Sequence, residues 1–232
     1  MKLLVLILGA RSGEYQEIIK NSLITWGTLK NDNIVVYNYY GNHDKNEIIN
    51  NELLLATNDK NITYKTLLAF QYALQHFEFD YLIRPNASTY VRLDKLYEHL
   101  LSAPRQNYYA GNKQTINFVT YVSGTHMIYS RDIVENILKN IDISFEPQWT
   151  DDWVIGKYLE KNKIYITEDI KHYLLINNWP ETELLNKMYN LSKKDIDDYI
   201  FFRCKTEVPI TQQEYKRNDI IKMNYLHKIL YA

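Results

Sequence analysis

The sequence predicts an α/β domain whose central sheet is mostly parallel. Three observations predict it. Residues 3–9 open the chain with a continuous apolar run ended by Gly9, as in a strand buried on both faces. Apolar residues then recur at helical spacing. Strand-like and helix-like segments alternate over the first two-thirds of the 232 residues.

The elements follow in order. Tyr15 to Trp26 is a helix carrying Ile18, Ile19, Leu23 and Trp26 on one stripe and stopped by Gly27. Ile34 to Tyr40 is a second strand, followed by a polar loop at Gly41 to Asn46. Thr66 to Phe77 is a helix with Leu67, Phe70, Leu74 and Phe77 on one face. Tyr81 to Ile83 is a short strand that ends at Arg84-Pro85-Asn86, and Leu93 to Leu101 is helical. Tyr108 to Gly111 is a strand, 118–129 alternates apolar strand with a Gly turn, and Arg131 to Ile141 is a helix with Ser130 at its N-cap. Trp153 to Lys161 is a shorter helix and Ile164 to Ile166 a strand. The reading is one domain over 1–232, with a core over 1–172 and a Tyr-rich C-terminal extension over 173–232 that packs on or near the site.

Composition removes several classes. The 27 Lys+Arg against 28 Asp+Glu leave a net charge of -1, which argues against a general nucleic-acid binder. The single Cys204 can form neither an intrachain disulfide nor a cysteine zinc cluster, which fits a reducing compartment. The apolar opening falls far short of the roughly 20 residues of a membrane span. Lys2 followed by that run imitates a signal peptide, but Arg11, Glu14 and Glu17 arrive too early for a cleavage region. A cytoplasmic protein is therefore expected.

In open α/β sheets the ligand crevice lies at the carboxyl ends of the strands, which selects the loops at 9–13, 84–90 and 146–153. No P-loop and no GxGxxG spacing occurs there. Asp151-Asp152 is the strongest candidate for chemistry, two carboxylates directly before a helix and bracketed by Trp149 and Trp153. Either may act as a base or simply hold the helix start. Trp149 is either core or a platform for a sugar face. Arg84 to Ser88 puts a cation and small polar groups at a strand end, or is an ordinary surface turn. Gly124, in Ser123-Gly124-Thr125-His126, marks a close approach or a bend. His172 is a metal ligand or a structural histidine.

Taken in order, these segments resemble the fringe and β-1,3-galactosyltransferase type of glycosyltransferase, of GT-A fold. Leu4 to Leu8 is similar to its first strand, Ile24-Thr25-Trp26-Gly27 to its Thr-Trp-Gly segment, and Lys60 to Thr66 to the approach to its metal motif. Tyr90 to Asp94 resembles the end of the run after that motif, and Tyr121 to Thr125 with Ser130-Arg131-Asp132 the segment and helix start that follow. Asp151-Asp152-Trp153-Val154-Ile155-Gly156 resembles the family's Glu/Asp-Asp-Val-x-x-Gly motif.

The resemblance implies an inverting transfer of a sugar from a nucleotide donor, usually a UDP-sugar, to a hydroxyl of a glycan or other acceptor. Asp152 would be the general base, with Asp151 orienting it or binding the acceptor. Trp149 and Trp153 would meet the acceptor. Gly9, Ala10, Arg11, Arg84, Asn86, Ser88, Ser123 and Gly124 would bind the donor. The family's Asp-x-Asp, which holds Mn²⁺ on the diphosphate, is replaced by Asn86-Ala87-Ser88. Three outcomes follow: Mn²⁺ or Mg²⁺ held weakly through Asn86 and His172; cations such as Arg84, Arg203 and Lys205 in its place; or a degenerate module that binds nucleotide or carbohydrate without turnover. Loops at 41–59, 102–118 and 174–200 would set the substrate.

Overall fold

The computed structural model describes residues 1–11, 13–141, 150–174, 190–206 and 217–231, together with the single positions 183, 186 and 188. Within them a seven-stranded sheet runs in the order β3-β4-β2-β1-β5-β8-β7. Its strands are β1 (Leu3–Leu8), β2 (Ile34–Tyr40), β3 (Glu47–Ile49), β4 (Glu52–Leu54), β5 (Tyr81–Pro85), β7 (Tyr109–Ile116) and β8 (Val119–Ser130). The centre, β4-β2-β1-β5, is parallel, and β3, β8 and β7 join antiparallel.

Helices cover both faces, as the unbroken apolar β1 requires. Leu3, Val5 and Ile7 face α1 (Tyr15–Ile24), α3 (Leu93–Ser102) and a C-terminal helix, α7 (Asp219–Tyr231). Leu4 and Leu6 face α2 (Ile62–His76), α4 (Arg131–Asn140) and α5 (Asp151–Lys161). A second sheet, β6-β10-β9, joins Thr89–Val91 to Phe201–Arg203 and His172–Leu174, and a short α6 (Lys193–Ile196) precedes β10. Ile196, Ile200, Phe201, Phe202, Met223, Leu226 and Leu230 are all buried, so the C-terminal region completes the core. Among the described residues no helix is long and apolar enough to cross a membrane.

Five expectations are adjusted; one is that α5 starts at Asp151 rather than Trp153, so both carboxylates lie in its first turn and Thr150 takes the N-cap. The first helix ends at Ile24, and Gly27 lies inside a following 3-10 helix, Trp26–Leu29. α2 starts at Ile62 rather than Thr66, because the Asn61 side chain accepts the Tyr64 N–H and caps it. Residues 119–130 form one strand rather than strand and Gly turn; the turn lies just before it, at Asn117 and Phe118, both with positive φ. No strand forms at 164–166: Lys163 turns the chain with φ 61°, and the contact with β7 is a single bridge from Thr167 to Ala110. Ser130 does sit at the N-cap of α4, but its hydroxyl donates to Asp132 instead of capping.

Candidate active site

The ends of β1 and β5, the middle of β8 and the start of α5 meet in one place. Gly9 closes β1, and a Cβ there would lie 2.4 Å from the Tyr40 ring, so only glycine lets the chain turn past that ring. Lys65 fastens this loop from below. Its buried ammonium donates to the Gly9 carbonyl at 2.9 Å and to the Asp59 carboxylate at 2.6 Å. Burial pushes the Lys65 pKa down, against the pull of Asp59. Arg11 points to the other side, paired with Glu52 at 3.0 Å and lying over the Tyr40 ring, while Ala10 is half-buried.

Asp151 and Asp152 are adjacent in sequence and opposite in circumstance. Asp151 is 1% exposed and paired with Arg84, whose Nη2 donates to Oδ1 at 2.9 Å and lies 2.7 Å from Oδ2, while Thr66 Oγ1 donates at 2.7 Å. Arg84 spends its remaining donors on Tyr39 Oη, Asn86 Oδ1 and the Gly124 carbonyl. All three guanidinium nitrogens thus donate inside the protein, Nη2 at the Asp151 carboxylate. Burial lifts the Asp151 carboxyl above the usual range and the Arg84 charge pulls it back. Arg84 is therefore a buried scaffold group, with no guanidinium nitrogen left free for a ligand.

Asp152 is half-buried at the first turn of α5. Its Oδ1 accepts from Thr150 Oγ1 and from the Trp153 N–H at 2.9 Å, and its Oδ2 accepts from the Gly124 N–H at 2.7 Å. A Cβ on Gly124 would lie 2.8 Å from Arg84 Nη1, 3.2 Å from Asp152 Oδ2 and 3.6 Å from Asn86 Nδ2. The missing side chain is what lets the carboxylate and the Asn86 amide share one small space. Ser123, beside it, hydrogen-bonds Thr125.

The Asn86-Ala87-Ser88 turn faces cations. Asn86 Oδ1 accepts from Arg84 at 3.0 Å. Ser88 is buried, and its Oγ accepts from Arg217 Nη2 at 2.8 Å. Arg217 is also paired with Asp219 at 2.6 Å and lies over the Tyr15 ring at the start of α1. Arg203, next to Thr89 on the small sheet, reaches among the described residues only Thr89 Oγ1, at 3.4 Å. Among the described residues no three His, Cys, Asp or Glu side chains come together as metal ligands. His172 lies against His126, ring centroids 5.5 Å apart, and its Nδ1 has no hydrogen-bond partner.

Among the sequence-derived candidates, the structure brings together Asp152, Gly124, Asn86, Arg84 and Asp151. It sets others apart. Trp153 is 5% exposed and packs with Val119, Tyr121 and Val154, so its ring face is covered. Lys205 is exposed and offers its carbonyl to Lys222. Trp149 lies outside the described residues. Sequence reasoning missed Thr66, Tyr39 and Arg217. Thr66 lies in the segment already singled out, but Arg217 carried no local signal, since its contact with Ser88 spans 129 residues.

Residues 103–169 match the model of the family described as Galactosyltransferase, a segment that holds β7, β8, α4, Gly124 and Asp151-Asp152. No curated protein matches the chain in sequence. Solved structures do match in fold. The apo-form glycosyltransferase GlyE of Streptococcus pneumoniae TIGR4 aligns over 97% of this chain and 60% of its own, at 13% identity and TM-score 0.53. A glycosyltransferase involved in glycosylation of the major capsid of PBCV-1 aligns over 97% of this chain and 100% of its own, at 10% identity and TM-score 0.54. Galactosyltransferase LgtC, in complex with donor and acceptor sugar analogs, aligns over 99% and 96%, at 9% identity and TM-score 0.52. The chain thus spans about three-fifths of the length of GlyE. The fold is the GT-A fold of glycosyltransferases.

Proposed function

We propose that the protein is an inverting glycosyltransferase that moves a sugar from a nucleotide-sugar donor, of UDP type, to a hydroxyl of a glycan or other acceptor. One observation carries the reading. Asp152 Oδ2 and Asn86 Nδ2 both border the space a Gly124 side chain would fill, so a carboxylate stands beside the turn where a GT-A fold receives the donor diphosphate. In the proposed step the acceptor oxygen bonds to the anomeric carbon while the bond from that carbon to the β-phosphate oxygen breaks. The electron pair leaves with the nucleoside diphosphate, and the hydroxyl proton passes to Asp152.

The surroundings of the two carboxylates favour this division of roles. Asp151 is neutralised by Arg84 and closed off from a substrate, whereas Asp152 keeps part of its surface open. The Gly124 and Trp153 N–H groups hold its carboxylate in one orientation at the start of α5. Acceptor recognition falls to other residues than the covered Trp153.

The test is release of nucleoside diphosphate from a panel of nucleotide sugars, with glycan acceptors and NMR of the product anomer. Asp152→Asn is expected to keep donor binding and to lower turnover by about 10²–10⁴-fold. Unchanged turnover removes Asp152 from the role, and a retained anomeric configuration removes inversion. Nucleotide binding without turnover by the unaltered protein would instead identify a binding module of the same fold.

A further inference from the structure

A divalent metal does not fit the turn that would hold it. The oxygens at positions 86 and 88 are neutral, and each already accepts a hydrogen bond from a guanidinium, Arg84 at Asn86 and Arg217 at Ser88. A hard dication prefers carboxylate oxygens and would be repelled by both.

Arg203 makes the mismatch sharper. It is half-buried, and among the described residues its single hydrogen bond is the 3.4 Å contact to Thr89 and no carboxylate lies within 4.0 Å of it. Burial pushes its pKa down to about 10; the more distant Asp219 opposes that shift, and the cations of Arg217 and Arg84 add to it. Burying a guanidinium with so little compensation is costly unless something anionic completes it. The nearby His126 repeats the pattern: it is fully buried, with neither ring nitrogen partnered.

We infer that Arg203 and Arg217 form an anion site that takes the donor diphosphate without a metal. The inference rests on the glycosyltransferase reading and assigns the charge-neutralising role within it. Arg217 spans from Tyr15, beside the β1 loop, to Ser88, and Arg203 stands at the next residue, Thr89. A diphosphate between them would accept charge-assisted, bidentate hydrogen bonds. It would also relieve the mutual repulsion of the clustered cations. As the sugar leaves, negative charge grows on the β-phosphate, and these fixed cations would stabilise it.

Calorimetry with UDP, GDP and inorganic pyrophosphate, first in excess EDTA and then with Mn²⁺, tests this. One of the nucleoside diphosphates should bind in EDTA, and Mn²⁺ should change its affinity only slightly. Arg203→Gln should weaken that binding about ten- to a hundredfold, as expected for lost charged hydrogen bonds. Arg203→Lys should recover part of it, and the melting temperature of Arg203→Gln should not fall. Arg217→Gln removes the partner of buried Asp219, so the decisive variant is at Arg203. Binding that appears only with Mn²⁺, or an Arg203→Gln affinity equal to that of the unaltered protein, overturns the inference and leaves the glycosyltransferase reading standing. Binding of neither nucleoside diphosphate in either condition overturns both.

Discussion

Arg84 and Arg203 stand at the same turn, the first fully buried before it and the second half-buried beside it, and their surroundings differ in kind. Arg84 ties each guanidinium nitrogen to a fixed acceptor and is paired with the Asp151 carboxylate. Among the described residues Arg203 has one long hydrogen bond, a more distant carboxylate at Asp219 and two neighbouring cations, Arg217 and Arg84. A saturated buried cation is part of the frame. An unsaturated one stores an unmet demand, and demand of that sort is what binding sites are made of.

The contrast breaks most directly in stability. Arg84→Met leaves Asp151 charged and unpaired, so thermal or denaturant unfolding should show a loss of about 3–5 kcal/mol. Replacing Asp151 as well, by Leu, should recover most of it, because removing both partners of a buried pair is far milder than removing one. Arg203→Met should stay within about 1 kcal/mol of the unaltered protein. Equal losses at Arg84 and Arg203 would erase the distinction.

A smaller effect is expected at Gly124, the glycine beside Arg84. Gly124→Ala puts a methyl group 2.8 Å from Arg84 Nη1 and 3.2 Å from Asp152 Oδ2. Overpacking there should cost about 1–3 kcal/mol in a melting curve and displace Asp152, lowering turnover further than stability alone explains.

The smallest effect is a slope with pH. Burial, with some help from His172 and Arg203, holds the His126 pKa well below its usual 6.5, so the folded protein keeps it neutral while the unfolded chain protonates below 6.5. The unfolded state then binds more protons, and stability falls as pH drops through that window, by at most about 1.4 kcal/mol per pH unit. His126→Phe keeps the stacking on Phe201, whose ring centroid lies 3.9 Å away. It should flatten the slope between pH 6.5 and 5 in urea titrations; an unchanged slope would assign it to other groups.

The legibility of the chain follows the range of its interactions. β1, β2, α3 and α4 were readable because a local apolar pattern dictates each. The start of α2 was misread because Asn61, a polar residue outside the apolar stripe, supplies the cap. Gly124 was seen to matter, but as a turn or an approach, and only its strand neighbours decide between them. Asp151 and Asp152 could not be told apart, since the difference lies in Arg84, 67 residues away in sequence. The small sheet was illegible for the same reason: three strands of three residues each carry no periodicity, and their pairing exists only in space.

The 129-residue span between Ser88 and Arg217 also has a meaning in time. Contacts that close so long a loop must overcome its entropy before they return any energy, and they form late. During synthesis the Asp152 side of the cleft can assemble while its cationic wall is still being made. A chain released early would therefore carry Asp152 in place but lack the Arg217 contact that closes on Ser88.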